Sequence, residues 1–402
     1  MTKMRLTLLA LAAALASAGA AAQTSASPYY VGITQDFTHQ SNVTSAASGS
    51  EVSDTISTTT LRAGVNALFG RQRAYANASV NQVRYSNLDG ANSTGYNLGA
   101  GLDWATVERL SGSLAANSDR RQADFNSGIS TAALKNTQRS DDVDAKVRWG
   151  GESLLGLEGG LGARRVTFSA PEFATQQYRQ KRGNVGLTYR PGGSLTLGAG
   201  VSAQRTDFLV PTLLQTTPDA SKRDDVYLTA NWVVTGASTL NARINVGKTE
   251  YTQATLANFD GVTGSIGWAW KPSGRLALNT TFVRDTGQDA GFRPGADGIV
   301  KPNATNFSRV TDTAAINAIY ELTGKIMVTG DLSSSHRNLV DPTSGLTGSD
   351  TTNRVSLGAR WAATRVISAG CNVGRESRSA SGAGTNDYTN DRFGCYVSAT
   401  LD

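Results

Sequence analysis

No run of eighteen or more apolar residues occurs anywhere in the chain. That excludes a bundle of membrane-spanning helices, each of which needs about 20 such residues in a row. Cysteine is scarce. Cys371 and Cys395 are the only two, and their spacing suits no metal finger. Histidine is equally scarce, with only His39 and His336, which leaves little material for a Ser-His-Asp site or an Asp-His pair. There is no strong excess of charge of one sign. The formal net charge is +6 over 402 residues, too mild a basic balance to suggest a nucleic-acid partner. Aromatics are only 7% of the chain, so their placement says more than their number.

What is present begins with a targeting segment. Lys3 and Arg5 form a positive start, Leu6 to Ala16 is apolar but too short to span a bilayer, and Ala20-Ala21-Ala22 offers a small-residue cleavage site before Gln23. The expected division is a signal peptide over 1–22 and one domain over 23–402. Export places that domain in an oxidising compartment. Loss of Lys3 and Arg5 lowers the net charge from +6 to +4.

Period-two alternation of apolar with small or polar residues dominates the rest. It predicts eighteen strands, at 29–39, 55–69, 72–87, 95–105, 109–125, 139–150, 153–169, 178–190, 194–208, 222–235, 238–252, 258–271, 275–286, 308–323, 325–338, 350–363, 366–378 and 389–402. Most of these exceed the usual strand length of about 5–6 residues, as a tilted sheet crossing a bilayer and projecting beyond it requires. Connections alternate in kind. Gly70-Arg71, Gly150-Gly151, Pro191-Gly192-Gly193, Gly236-Ala237 and Pro272-Ser273-Gly274 are tight turns. Segments 40–54, 126–138, 209–221, 287–307 and 339–349 are long and rich in Ser, Thr, Asn, Asp and Gly. The pattern predicts an all-β fold: a transmembrane, antiparallel, up-and-down β-barrel with short periplasmic turns and longer extracellular loops. No plug candidate is expected before the first strand, and loop 287–307 is read as a surface loop, with inward folding as the alternative.

Each strand has one apolar and one polar parity. Val226, Leu228, Ala230, Trp232 and Val234 share a face, with Thr229 and Asn231 opposite. In a barrel in lipid the apolar parity points outward and the polar parity lines a wet lumen. The aromatics favour that sense over a soluble sandwich. Phe69, Trp104, Trp149, Tyr189, Trp232, Trp270, Tyr320 and Trp361 all have apolar parity and all stand at strand ends next to short turns. Such a row fits a girdle at the hydrocarbon–headgroup boundary. The lumen parity carries Arg62, Lys146, Arg148, Arg164, Arg182, Arg190, Arg243, Arg354 and Arg360. It also carries Asp103, Asp142, Asp144, Glu158, Glu321 and Asp331. Two readings stand for these charges: a hydrated path that mildly favours anionic or polyhydroxylated solutes, or an inner wall that only solvates itself by cross-strand pairing.

Residue 383 is both the midpoint of Cys371 and Cys395 and the centre of the last loop, about 379–388. Hairpin register would then set the cysteines directly opposite each other, within disulfide range. A structural bridge is expected. The glycine-rich stretches GLEGGLGARR (156–165) and PGGSLTLGAG (191–200) do not match a phosphate loop, and they fall within strand-turn-strand segments. His39 and His336 both have lipid parity near loop ends. No enzymatic activity, cofactor or metal is expected.

The end of the chain resembles a known group. GCNVGRESRSASG (370–382), the stretch Tyr388 to Tyr396 and DRFGCYVSATL (391–401) set a Cys-bearing strand with Arg-Glu-x-Arg before a Tyr-bearing loop and a final Gly-Cys strand. This resembles the outer-membrane β-barrel porin family, particularly EpsL-type proteins of exopolysaccharide operons, and the likeness spans essentially the mature chain. It implies an outer-membrane location and a conduit for exopolysaccharide export. The implied partners are outer-membrane lipid, a polysaccharide chain and periplasmic export machinery. A general or solute-specific diffusion porin is the first alternative, and a structural or adhesive surface barrel the second. The chain departs from the common outer-membrane pattern by ending Leu401-Asp402 rather than in Phe.

Overall fold

The computed structural model describes residues 27–123, 135–151, 153–211, 216–253, 258–286, 291–294, 300–303, 308–340, 347–382 and 385–402. The expected signal peptide lies outside these residues. The strands in chain order are β1 (Tyr29–Gln40), β2 (Asp54–Phe69), β3 (Gln72–Tyr85), β4 (Ser93–Ala105), β5 (Leu110–Gln122), β6 (Thr137–Trp149), β7 (Leu155–Phe168), β8 (Tyr178–Gly192), β9 (Leu195–Phe208) and β10 (Ala220–Thr235). They continue with β11 (Ser238–Tyr251), β12 (Phe259–Trp270), β13 (Leu276–Asp285), β14 (Gly291–Pro294), β15 (Val300–Asn303), β16 (Ser308–Glu321), β17 (Ile326–Val340), β18 (Thr347–Ala362), β19 (Ile367–Gly382) and β20 (Tyr388–Leu401).

Eighteen of them form one antiparallel sheet, in which each strand pairs with the next along the chain. The sheet closes where β1 pairs with β20, from Val31↔Leu401 to Gln40↔Arg392. Closure leaves no open edge, which hydrocarbon would not tolerate because each unpaired backbone group there costs several kcal/mol. The short turns and both ends of the barrel sheet lie at one end, and the long loops at the other. Gly70, with φ 61°, occupies the first central position of the two-residue turn between β2 and β3, where a left-handed conformation suits tight hairpins.

The outward parity is apolar through the middle of the wall. Leu61, Leu98, Leu161, Val226, Leu228, Leu357 and Val373 are all exposed, Leu161 to 72%. Left in water, each would forgo about 1.5–3 kcal/mol of burial. A continuous band of such residues around a closed barrel is the signature of a surface covered by lipid. This is a transmembrane β-barrel.

Local differences from the sequence reading concentrate at the long-loop end. Several strands run further than expected: β6 starts at Thr137, β10 at Ala220 and β18 at Thr347, and β19 continues to Gly382. Past the lipid both faces are wet, so alternation fades while the ladder continues. Conversely, β3 stops at Tyr85. The Asp54 carboxylate accepts backbone N–H groups from Ser86, Asn87 and Leu88 and turns the chain out of the sheet. Two 3₁₀ turns, at Asp89–Ala91 and Pro171–Gln176, carry no periodic signal. Within 287–307 a short hairpin forms from β14 and β15. The rest of that loop lies outside the described residues.

Candidate functional site

The barrel encloses a bore, and register decides which side chains face it. The inward parity holds every residue assigned to it from the sequence, namely Arg62, Asp103, Lys146, Arg148, Glu158, Arg164, Arg182, Arg190, Arg243, Glu321, Asp331, Arg354 and Arg360, with Asp142 and Asp144. Proof of the inward direction comes from bonds that skip strands. On β10, Arg223 donates 2.9 Å to Asp285 on β13, although β11 and β12 lie between. Arg62 on β2 reaches Thr400 on β20 across β1, at 2.6 Å. Such chords are short only on the concave side of a curved sheet.

Glycines make room for these chords. Arg182 on β8 donates from Nη2 to both oxygens of Asp144 on β6, each at 2.7 Å. It crosses Gly162 on β7, where a Cβ would sit 2.5 Å from the guanidinium. Tyr227 lies flat over Gly186 and Gly200, and a Cβ on Gly200 would meet its ring at 2.6 Å. The guanidinium of Arg243 lies over that ring, 4.0 Å from its centroid, a cation–π contact. Tyr227 is only 1% exposed.

The inner charges separate into two populations. One is neutralised within the wall. Arg164, expected from its parity to line the bore, is 7% exposed and packs beside Asp142 at 3.7 Å. Arg223 holds Asp225 and Asp285. Glu376 accepts from Tyr388, Arg354 and Arg392. The other population is open to solvent. Lys146 and Arg360 are exposed on the inner face with no polar side-chain partner among the described residues. Arg148 stands 3.9 Å from Glu158 and keeps 56% of its side chain exposed. Between the charges, Asn77, Asn97, Asn117, Asn231, Asn241 and Asn372 are inward and exposed. Exposure of axis-facing residues on β3–β6, β10, β11, β18 and β19 shows that the middle of the bore is accessible to water, as eighteen strands allow.

At the long-loop end the wall thickens inward. Inward-facing Val166, Tyr178 and Phe208 are buried, with Phe168 and Tyr251 packed on them. The 3₁₀ turn Pro171–Gln176 folds over this patch, and Phe173 meets Phe168 at 5.7 Å between centroids. On β2 and β3, Ile56 and Tyr85 pack against Val43 from the loop after β1 and Ala91 from the loop after β3. Sequence reasoning missed both clusters. Their signal was available, because Tyr178, Phe208 and Tyr85 are large residues on the polar parity.

Asp350, at the same end, has no exposed side-chain surface and pairs with Arg337 at 2.6 Å. The outward residues at this level, Thr351 and Asn353, are polar, so the level lies beyond the hydrocarbon. Burial pushes the Asp350 carboxyl up, but hydrogen bonds and charge from Arg337 outweigh it and hold the group below its ordinary range. Tyr388 is pushed up to about 12, first by burial, with the Glu376 carboxylate adding to the shift.

The aromatics expected to form a girdle lie on the outer wall. Phe69, Trp149, Tyr189, Trp232, Trp270, Tyr320 and Trp361 are outward and exposed beside the short turns, while Trp104 is half-buried over Gly112. Trp268 stacks on Trp270 at 5.2 Å and donates its indole N–H to Ser238 at 2.9 Å. Cys371 and Cys395 are direct partners in register and form a disulfide with Cα atoms 4.0 Å apart. The bridge faces outward, with Val373 and Val397. His39 and His336 are outward too, bonded to Thr55 and Thr351.

No protein-family model matches the chain, and no curated protein matches it by sequence. Among solved structures it is similar to the outer membrane protein OpdK of Pseudomonas aeruginosa, at 13% identity over 93% of this chain and 98% of that one, with a TM-score of 0.49. It is similar also to the FrpB iron transporter of Neisseria meningitidis, at 8% identity over 93% and 81% of the two chains, TM-score 0.47. A third likeness is to the siderophore receptor PirA of Acinetobacter baumannii, at 7% identity over 94% and 81%, TM-score 0.43. At these identities and scores the likeness is one of barrel form and bears no weight on solute or direction.

Proposed function

We propose that this protein is an outer-membrane channel, a passive conduit for hydrophilic solutes through its lumen, and that it has no enzymatic role. One observation carries the reading: a closed eighteen-strand wall whose axis-facing side chains are polar and solvent-exposed in mid-barrel. The favoured solute is a polyhydroxylated chain, consistent with exopolysaccharide export. Carboxamides such as Asn77, Asn117 and Asn231 both donate and accept hydrogen bonds, as sugar hydroxyls require. Unpaired Lys146 and Arg360 add a mild preference for anionic groups. The alternative is a general or solute-specific diffusion porin, for which the same wall serves.

Planar-bilayer recording of the purified barrel tests the channel. Stable ohmic current is expected, with reversal potentials shifted toward cation selectivity in Lys146→Glu/Arg360→Glu. A folded barrel that passes no current would instead be a structural or adhesive surface protein. Deletion of the gene separates the two solute readings: lost polysaccharide secretion supports export, and normal secretion leaves the porin.

A further inference from the structure

Above the apolar band, the outward wall carries charge, and cross-strand register decides how it is paired. At four strand pairings opposite signs face each other: Arg284↔Asp312, Arg375↔Asp391, Asp224↔Lys248 and Lys248↔Asp260. The sector β7–β10 breaks this rule. There Arg165 faces Arg179, Lys181 faces Arg205, and Arg205 faces Lys222. Directly opposed like charges destabilise a sheet. Arg120↔Arg139 extends the row onto β5 and β6. The acidic neighbours are Asp141, opposite Arg165 and bonded to Arg139; Asp207, opposite Arg179 and bonded to Arg205 at 2.8 Å; Asp224, bonded to Lys222 at 2.6 Å; and Glu250, opposite Lys222. Arg165, Arg179 and Lys181 are exposed and have no ion-pair or hydrogen-bond partner for their side chains among the described residues.

The row has a fixed height. Arg165 stands four residues beyond Leu161, Lys181 four before Val185, Arg205 four beyond Val201 and Lys222 four before Val226. Four residues of strand are about 13 Å. The cations therefore stand at headgroup level, just past the last large aliphatics, at the end of the barrel opposite the aromatic girdle. A hollow of about 240 Å³ opens beside them, lined by Arg205, Lys222 and Glu250.

We propose that the outward face of β7–β10 binds the phosphate-bearing headgroups of lipids in the leaflet around the long-loop end. A phosphate between opposed cations turns a repulsive register into a chelating one. Arginine suits the role because its planar fork donates two hydrogen bonds to one phosphate. The four paired sites offer no such cluster of cations, so the lipid shell is asymmetric around the barrel.

Native mass spectrometry of the folded barrel in neutral detergent tests this, with diphosphorylated lipid A and phosphatidylglycerol as probes and phosphatidylcholine and inorganic phosphate as controls. Arg165→Gln/Arg179→Gln/Lys181→Gln/Arg205→Gln is expected to weaken retention of both probes at least about tenfold, whereas Arg284→Gln/Asp312→Asn, an outward opposite-sign pair on β13 and β16, leaves it unchanged. Melting adds a sign test. In detergent alone the fourfold variant melts at or above the wild-type temperature, because repulsion is relieved, while added probe lipid raises the wild type more. Equal retention by both proteins, or equal retention of phosphatidylcholine, overturns the proposal. Displacement of lipid by millimolar phosphate also overturns it, in favour of a free-anion site. If the fourfold variant does not fold, Arg165→Gln/Lys181→Gln carries the test, with about threefold weaker retention expected.

Discussion

Strand β10 bears two kinds of surface on one backbone. Outward, Val226, Leu228, Ala230 and Trp232 meet fluid hydrocarbon, a non-directional environment in which any apolar residue of similar bulk would serve. Inward, Arg223, Asp225, Tyr227 and Asn231 have named partners: Asp285, Arg223, Arg243 and Asn241. The outer wall is specified by class of residue and the inner wall by identity. Substitutions should therefore obey different rules on the two faces.

The largest effect is expected at a buried ion pair. Asp350→Ala leaves Arg337 without its carboxylate and should cost about 3–5 kcal/mol, read from denaturant unfolding followed by heat-modifiable mobility. Acid sharpens this. The carboxyl is held below its ordinary range, so its contribution is complete above the unfolded-state value and fades as pH falls through the lower folded one. Asp350→Asn should flatten that acid limb, and an unaltered limb would remove Asp350 from the account.

Next in size is a charge set into the lipid band. Leu228→Arg should cost about 2–4 kcal/mol. Asn231→Arg, on the other face of the strand, loses its bond to Asn241, should cost only about 1 kcal/mol, and should shift channel selectivity toward anions. Equal costs at the two positions would break the distinction between the walls.

Smallest is a pair of glycines. Gly200→Ala drives a methyl into the Tyr227 ring and the Val185 carbonyl and should cost about 1–3 kcal/mol. Gly183→Ala points outward, where its nearest neighbour is the Leu161 side chain at 3.4 Å, and should lie within about 0.5 kcal/mol. Thermal melts of both variants in one detergent decide it.

Much of this was legible without coordinates. Strand parity placed Trp149, Trp361 and Lys146 on their faces, because a period of exactly two residues leaves only two choices per strand. Loop symmetry about residue 383 set Cys371 opposite Cys395, since hairpin register follows from turn position alone. Other features were not legible. Arg164 looks like any lumen arginine in sequence, yet it is buried beside Asp142, because its exposure depends on what packs over it. The turn of Pro171–Gln176 that covers Tyr178 and Phe208 has no periodicity to read.

Alternation along the chain, by itself, determined that this protein is a barrel with a greasy exterior, a polar interior and aromatics at one rim. These are properties of single strands and adjacent hairpins, encoded within about 30 residues at a time. Tertiary structure alone decided which charges cancel and which remain free. Arg223 finds Asp285 three strands away only because the closed sheet is curved. Curvature belongs to the whole ring, and no local stretch of sequence carries it.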